Sequence, residues 1–358
     1  MKKTRVLVLC GGKSAERQVS LVSARTVLQN LDPRKYEVDL VQIDAGGRWL
    51  RADAKALTAR VQAPGKLIAA GMKALSAENR LAPRGKPADV VFPVLHGTLG
   101  EDGTIQGLLE VAGVPYVGCG VLGSALGMDK ELSKQIAHAA GLPVLPFAAL
   151  TDPDLAEPLA EMLGYPVFVK PARLGSSVGI SKVKTPCSLS MAVHDAFKYD
   201  TKIIIEKGID AREIECAVLG DPAARPEETL AAKASEVGEI VPNAEFYDYK
   251  AKYLDENGAT LLIPAKLTAA QRREVQELSL KAFKAHDGYG LSRVDFLMDK
   301  RSGKLYFNEI NTIPGFTSGS MYPLLWKASG LATPKVIDRL VALALRRHQR
   351  RSRLKTSP

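Results

Sequence analysis

The chain has 358 residues, 46% of them hydrophobic and 25% charged, a balance that supports large apolar cores in two or three domains. No run approaches the roughly 20 apolar residues of a membrane span. Only five apolar residues, Val6 to Cys10, follow the basic start, too few for a secretory signal, so no membrane and a cytoplasmic location are expected.

The net charge of +10 invites a nucleic-acid partner. Much of the excess is crowded into residues 346–358, where Arg346, Arg347, Arg350, Arg351, Arg353 and Lys355 occur without an acid. Such a segment reads as a solvated, disordered tail, and no nucleic acid is expected. Cys10, Cys119, Cys187 and Cys216 lack paired ligand spacing and read as small core residues. The five histidines do not cluster, so zinc is not indicated.

In chain order, Arg5 to Cys10 reads as a buried strand, followed by a Gly-Gly turn and a helical pattern over Ser14 to Leu31. Tyr36 to Ile43 is a second strand, residues 51 to 87 are weakly periodic, and Ala88 to Leu95 is a third strand. Gly107 to Ala112 falls in a helix. Strands alternating with helices predict a parallel α/β domain over residues 1–126. Asp129 is an expected N-cap for a helix that Gly141 and Pro143 close. A second domain, 127–210, holds strands at Pro166 to Lys170 and Lys202 to Glu206 around the small-residue loop Gly175 to Gly179. A third, 211–345, starts with a half-buried strand through Glu213 to Leu219. Ser235 to Thr260 is polar and aperiodic but carries Phe246, Tyr247, Tyr249 and Tyr253, which suits a functional lid. Val294 to Met298 and Leu305 to Ile310 form a hairpin.

Gly12-Lys13-Ser14 imitates the end of a phosphate-binding loop, but Leu7 stands where that loop needs glycine. Glu16 remains, either matching the dipole of the following helix or facing the cleft at the carboxyl end of the first strand. The hairpin says more. Arg293 and Asp295 share one strand face, Glu309 and Asn311 another, and the fold of the hairpin sets Asp295 opposite Glu309. Two carboxylates and an amide oxygen on one face suit Mg²⁺; the alternative is a solvated face with an ion pair to Arg293. Lys130, Lys170 and Lys252, with the hydroxyls of Ser176 and Ser177, could surround a triphosphate.

Six segments carry a resemblance: Gly11-Gly-Lys-Ser-Ala-Glu-Arg17, His96-Gly-Thr-Leu-Gly-Glu-Asp-Gly103, Met128-Asp-Lys130, Val169-Lys-Pro-Ala-Arg-Leu-Gly-Ser-Ser-Val-Gly179, Phe246-Tyr-Asp-Tyr-Lys-Ala-Lys-Tyr253 and Asn308-Glu-Ile-Asn-Thr-Ile-Pro-Gly-Phe-Thr-Ser318. In this order they resemble the D-alanine–D-alanine ligase family of the ATP-grasp superfamily, from about Arg5 to Leu345. The resemblance implies a three-domain α/β ATP-grasp architecture, a homodimer, and ligation of two D-alanines through an acyl phosphate for peptidoglycan precursors. It implies that Lys130 and Lys170 hold nucleotide phosphates, that Glu206, Lys207 and Ile209 line an adenine slot, and that Glu213 meets the ribose. Asp295, Glu309 and Asn311 would ligate two Mg²⁺ ions, Mn²⁺ being an alternative. Glu16, with His96 nearby, would bind the first amino acid; Arg293 and the Gly315 N–H would form an oxyanion hole. Ser320 and the backbone of Met321 would receive the second carboxylate. Ser176 and Tyr253 would join Glu16 in a latch, and tyrosine at 253 is associated in the family with peptide rather than D-lactate ester products.

Overall fold

The computed structural model describes residues 2–59, 73–76, 80–242 and 259–355. Three sheets follow one another along the chain. The first has the order β4-β3-β2-β1-β5, built from β1 (Thr4–Gly11), β2 (Tyr36–Ile43), β3 (Trp49–Ala52), β4 (Lys73–Ala74) and β5 (Val90–Pro93). β1 runs parallel to both β2 and β5, as the alternation of elements predicts, and Val6 to Cys10 are fully buried between helices. The weakly periodic stretch after residue 50 supplies what the sequence reading missed: β3 and β4 extend the sheet as antiparallel edge strands. Around this sheet lie α1 (Arg17–Asn30), α2 (Ala54–Ala59) and α3 (Thr104–Val111), while α4 (Val121–Met128) follows and packs against the next helix and the last strand of the third sheet.

α5 (Lys130–Ala139) begins where expected, because the Asp129 carboxylate accepts the orphan N–H groups of Glu131 and Leu132. The second sheet is antiparallel, in the order β6-β9-β7-β8, from β6 (Phe147–Leu150), β7 (Val167–Pro171), β8 (Ser181–Val183) and β9 (Ile203–Lys207). α6 (Ala156–Leu163) and α7 (Leu189–Phe197) pack on it. Cys187, expected in a core, is exposed beside Pro186 in the turn that leads into α7; the other three cysteines are buried.

The third sheet is antiparallel, β12-β11-β10-β13-β14, formed by β10 (Ala211–Gly220), β11 (Lys233–Pro242), β12 (Ala259–Leu262), β13 (Gly290–Asp299) and β14 (Leu305–Asn311). It is flanked by α8 (Ala269–Ala285), α9 (Met321–Ala328) and α10 (Thr333–Arg351). The expected loop over Ser235 to Thr260 is therefore strand at both ends. Its periodicity was hidden because buried positions carry Ser235 and Glu239. The Ser235 hydroxyl accepts the Ala217 N–H at a bulge, and Glu239 pairs with Arg212 at 2.7 Å.

The expected disordered tail is also corrected: α10 continues through Arg351. Arg347 lies over the rings of Tyr116 and Tyr289, 4.2 and 5.1 Å from their centres, and donates to the carbonyls of Tyr116 and Gly118. Arg350 and Arg346 pair with Asp221 and Glu228, and Arg351 with Glu110. Guanidinium groups dock on aromatic faces and carbonyls without any apolar pattern in the sequence, which is why the segment looked unpartnered.

Candidate active site

The β13/β14 register is Arg293↔Asn311, Val294↔Ile310 and Asp295↔Glu309, with a bulge just beyond. Alternation sends Val294, Phe296 and Ile310 into the core and leaves the four polar side chains on the other face. Arg293 grips both oxygens of Asp295 at 2.7 Å, and its Nε also lies 2.9 Å from Glu215, which is paired across from Asp295 on β10. Burial pulls the guanidinium toward neutrality, but Asp295 and Glu215 more than reverse this and raise its pKa well above the ordinary value. The Asn311 amide donates to Asp295 at 2.9 Å. Lys130 reaches to 3.6 Å from Glu309 and donates to the Leu174 carbonyl at 2.5 Å.

Glu215, Asp295 and Glu309 thus gather around the cations Arg293 and Lys130. Among the described residues no three His, Cys, Asp or Glu side chains converge on a metal position. The donor set is Asp295, Glu309 and the amide oxygen of Asn311, which a turn of that amide would present. These are hard oxygen ligands gathered on one face of the sheet, and they fit Mg²⁺.

On the second sheet, Lys170 of β7 and Glu206 of β9 are ion-paired, and Lys134 of α5 meets the other carboxylate oxygen at 2.5 Å. Burial alone would raise the Glu206 pKa, but Lys134 and then Lys170 hold it down at about 2. The carboxylate is committed to lysines, so an adenine at this strand would meet Glu206 through its backbone. Lys207 donates to the Gly164 carbonyl at 2.7 Å, Ile209 is half-buried in the link to β10, and Glu213 lies on β10 opposite Leu297.

The loop after β7 holds Ser176 and Ser177 at φ values of 52° and 58°, left-handed backbone that non-glycine residues adopt at a cost. The Ser176 hydroxyl donates to Glu16. Glu16 occupies the N-cap position of α1 without a side-chain capping bond. A Cβ at Gly97 would strike its carboxylate, and one at Gly175 would lie 3.3 Å away.

His96 is buried, its Nδ1 donating to the Ile313 carbonyl at 2.9 Å and its Nε2 lying 3.0 Å from the Ser23 hydroxyl. Burial works against the imidazolium, but Glu101, Glu16 and the Ile313 carbonyl outweigh it and raise the pKa. The Phe316 N–H donates to the same Ser23 hydroxyl, so the 311–320 loop is tied to the first domain. In that loop, a Cβ at Gly315 would lie 3.0 Å from the Ser320 hydroxyl, which in turn accepts the Thr317 N–H. Ser320 is the N-cap of α9, and Met321 is buried. Tyr253 and Lys252 lie outside the described residues. Glu215 and Lys134 were missed from sequence; the alternation that exposed Glu213 also marks Glu215, and Lys134 falls one helical turn after Lys130.

A family model for the D-Ala-D-Ala ligase N-terminus matches residues 5–119, and one for the C-terminus matches 136–342. The D-alanine–D-alanine ligase of Thermoanaerobacter sp. is 48% identical, with 99% of each chain covered. The D-alanine–D-alanine ligase A of Bradyrhizobium diazoefficiens is 49% identical over 98% of each. Among solved structures, the D-alanine–D-alanine ligase from Coxiella burnetii superposes with a TM-score of 0.82 at 36% identity, covering 98% of this chain and 97% of that one. The VanG D-Ala:D-Ser ligase from Enterococcus faecalis gives 0.80 at 35% identity, covering 96% and 100%. The fold is ATP-grasp. With both family models matched in order and relatives aligned nearly end to end, this chain belongs to the D-alanine–D-alanine ligase family.

Proposed function

We propose that the protein joins two D-alanines to D-alanyl-D-alanine at the expense of ATP, supplying a peptidoglycan precursor in the cytoplasm. The observation that carries this reading is the hairpin face of Arg293, Asp295, Glu309 and Asn311, reached by Lys130. It supplies the cations and hard oxygen donors that transfer of a phosphoryl group to a carboxylate requires.

In the first step the carboxylate of one D-alanine attacks the γ-phosphorus, forming an acyl phosphate and releasing ADP. Two anions must meet, so Lys130 and Lys170 neutralise phosphate oxygens while Glu16 holds the ammonium of the donor amino acid, with His96 behind it. Asp295, Glu309 and Asn311 would hold two Mg²⁺ ions, with Mn²⁺ as an alternative; bound there, the ions would supply charge neutralisation and orient the triphosphate. In the second step the other D-alanine, having lost its ammonium proton, attacks the acyl carbon. Arg293 and the Gly315 N–H receive the oxyanion, Ser320 and the Met321 backbone receive the acceptor carboxylate, and collapse expels phosphate. Ser177 and Lys252 complete the phosphate cradle, and Lys207, Ile209 and Glu213 the nucleoside site. Tyr253, through Ser176 and Glu16, favours the amine acceptor over D-lactate. A homodimer is the working assembly.

The test is incubation with ATP, Mg²⁺ and D-alanine in competition with D-serine and D-lactate, scored by product mass. D-Alanyl-D-alanine and one phosphate per product are expected. A predominant ester or mixed dipeptide would reassign the acceptor, and no ATP-dependent product would overturn the ligase reading. Glu309→Ala should abolish turnover while the protein remains folded; full activity in that variant would remove the two-ion arrangement.

A further inference from the structure

Lys134 belongs to no step described so far, yet it is among the most deeply buried charges in the protein. Its side chain is 1% exposed, as is that of its partner Glu206. It sits on α5, four residues after Lys130, so one helix face carries both ammonium groups: Lys130 toward Glu309, and Lys134 toward Glu206. Lys170 approaches the same carboxylate from β7 and keeps 10% exposure. Two cations therefore share one buried anion, and only Lys170 has a way out toward solvent.

We propose that Lys134 is a positioning residue, a permanent buried counter-ion for Glu206 that frees Lys170 to leave that carboxylate for a phosphate of the nucleotide. This rests on the reading that Lys170 meets the triphosphate.

A carboxylate buried to this degree is strongly disfavoured without a partner. If Lys170 were its sole partner, moving that ammonium to a phosphate would strand Glu206, and the loss would be subtracted from nucleotide affinity. With Lys134 at 2.5 Å the carboxylate stays neutralised whichever way Lys170 points. The low pKa of Glu206 agrees, since Lys134 and Lys170 both hold it down against burial. Burial depresses the pKa of Lys134 itself, and Glu206 offsets this only in part, so the pair is mutually dependent. The Asp129 cap fixes the start of α5, and Asp129 in turn pairs with Lys202 at 2.7 Å, which holds the helix against the second sheet.

The experiment is a double-mutant cycle read by equilibrium binding of ATP and ADP with Mg²⁺, using wild type, Lys134→Met, Glu206→Gln and the double variant. Methionine keeps the unbranched stem of lysine, one atom shorter, without its charge. Lys134→Met should weaken nucleotide binding roughly ten- to a hundredfold, while the KM for D-alanine moves less than about threefold. In the Glu206→Gln background the same substitution should change nucleotide affinity by less than about threefold, because no charge is left to strand. Wild-type affinity in Lys134→Met, or an equal loss in both backgrounds, would overturn the proposal. If Lys134→Met does not fold, the comparison of Glu206→Gln with the double variant decides alone: a difference above threefold overturns it. Failure of the wild type to bind ATP would instead sink the ligase reading and is visible in the first measurement.

Discussion

Arg293 engages both oxygens of Asp295 and one of Glu215, leaving little freedom for its guanidinium plane. Lysine at this position keeps a charge but cannot reproduce the fork. Arg293→Lys should lower kcat by about 10²- to 10³-fold, with a smaller change in ATP affinity, in steady-state assays. Truncation to alanine is a different experiment. It removes the guanidinium that two buried carboxylates contact and should cost about 3–5 kcal/mol of stability by denaturant titration. His96 offers a test by pH. Its folded-state pKa is raised, so the ring contributes stability that is fully present below the unfolded value and lost as pH rises through the folded one. The stability gap between wild type and His96→Gln should therefore shrink from pH 6 to pH 9, and an NMR titration should place the midpoint above about 6.5. At this scale the sequence was readable where period-two spacing put polar side chains on one strand face, as at 293/295 and 309/311. Glu215 and Lys134 escaped because a charge in an alternating strand or a helix reads as solvent-facing until the pairing partner is known.

Element boundaries were legible where a single residue fixes them chemically. Asp129 caps α5, and Gly141, at a φ of 76°, follows its end. Asp129→Ala should cost about 0.5–2 kcal/mol and also weaken ATP binding, because Lys130 and Lys134 ride on the helix that it anchors. Thermal melts and nucleotide titrations check the two effects separately. β11 shows the opposite case. Its inward positions carry Ser235, whose hydroxyl accepts the Ala217 N–H and donates to the Glu236 carbonyl, and Glu239, which pairs with Arg212. A pattern of apolar alternation cannot reveal a strand whose core is polar and satisfied, because the information lies in another strand.

The whole molecule departs from the sequence reading at its end. A tail expected to be solvated instead sandwiches Arg347 between Tyr116 of the first domain and Tyr289 next to β13. Arg347→Ala should cost about 2 kcal/mol, read by denaturant titration, since it removes two charged hydrogen bonds and two ring contacts. Deleting residues 346–358 should destabilise further and lower turnover; unchanged stability would show that the clamp contributes nothing. The clamp matches the arrangement of the cores. One apolar cluster takes in Val6 from the first sheet and Leu21 from α1, Ala217 and Leu291 from the third sheet, and Leu340 from α10. The cluster of the second sheet is drawn entirely from residues 150–205 and their neighbours. Heat should therefore find two cooperative blocks where sequence suggested three domains. Scanning calorimetry of the unliganded protein should give a calorimetric enthalpy larger than the van't Hoff value, and saturating nucleotide, gripping both blocks, should merge the two transitions into one.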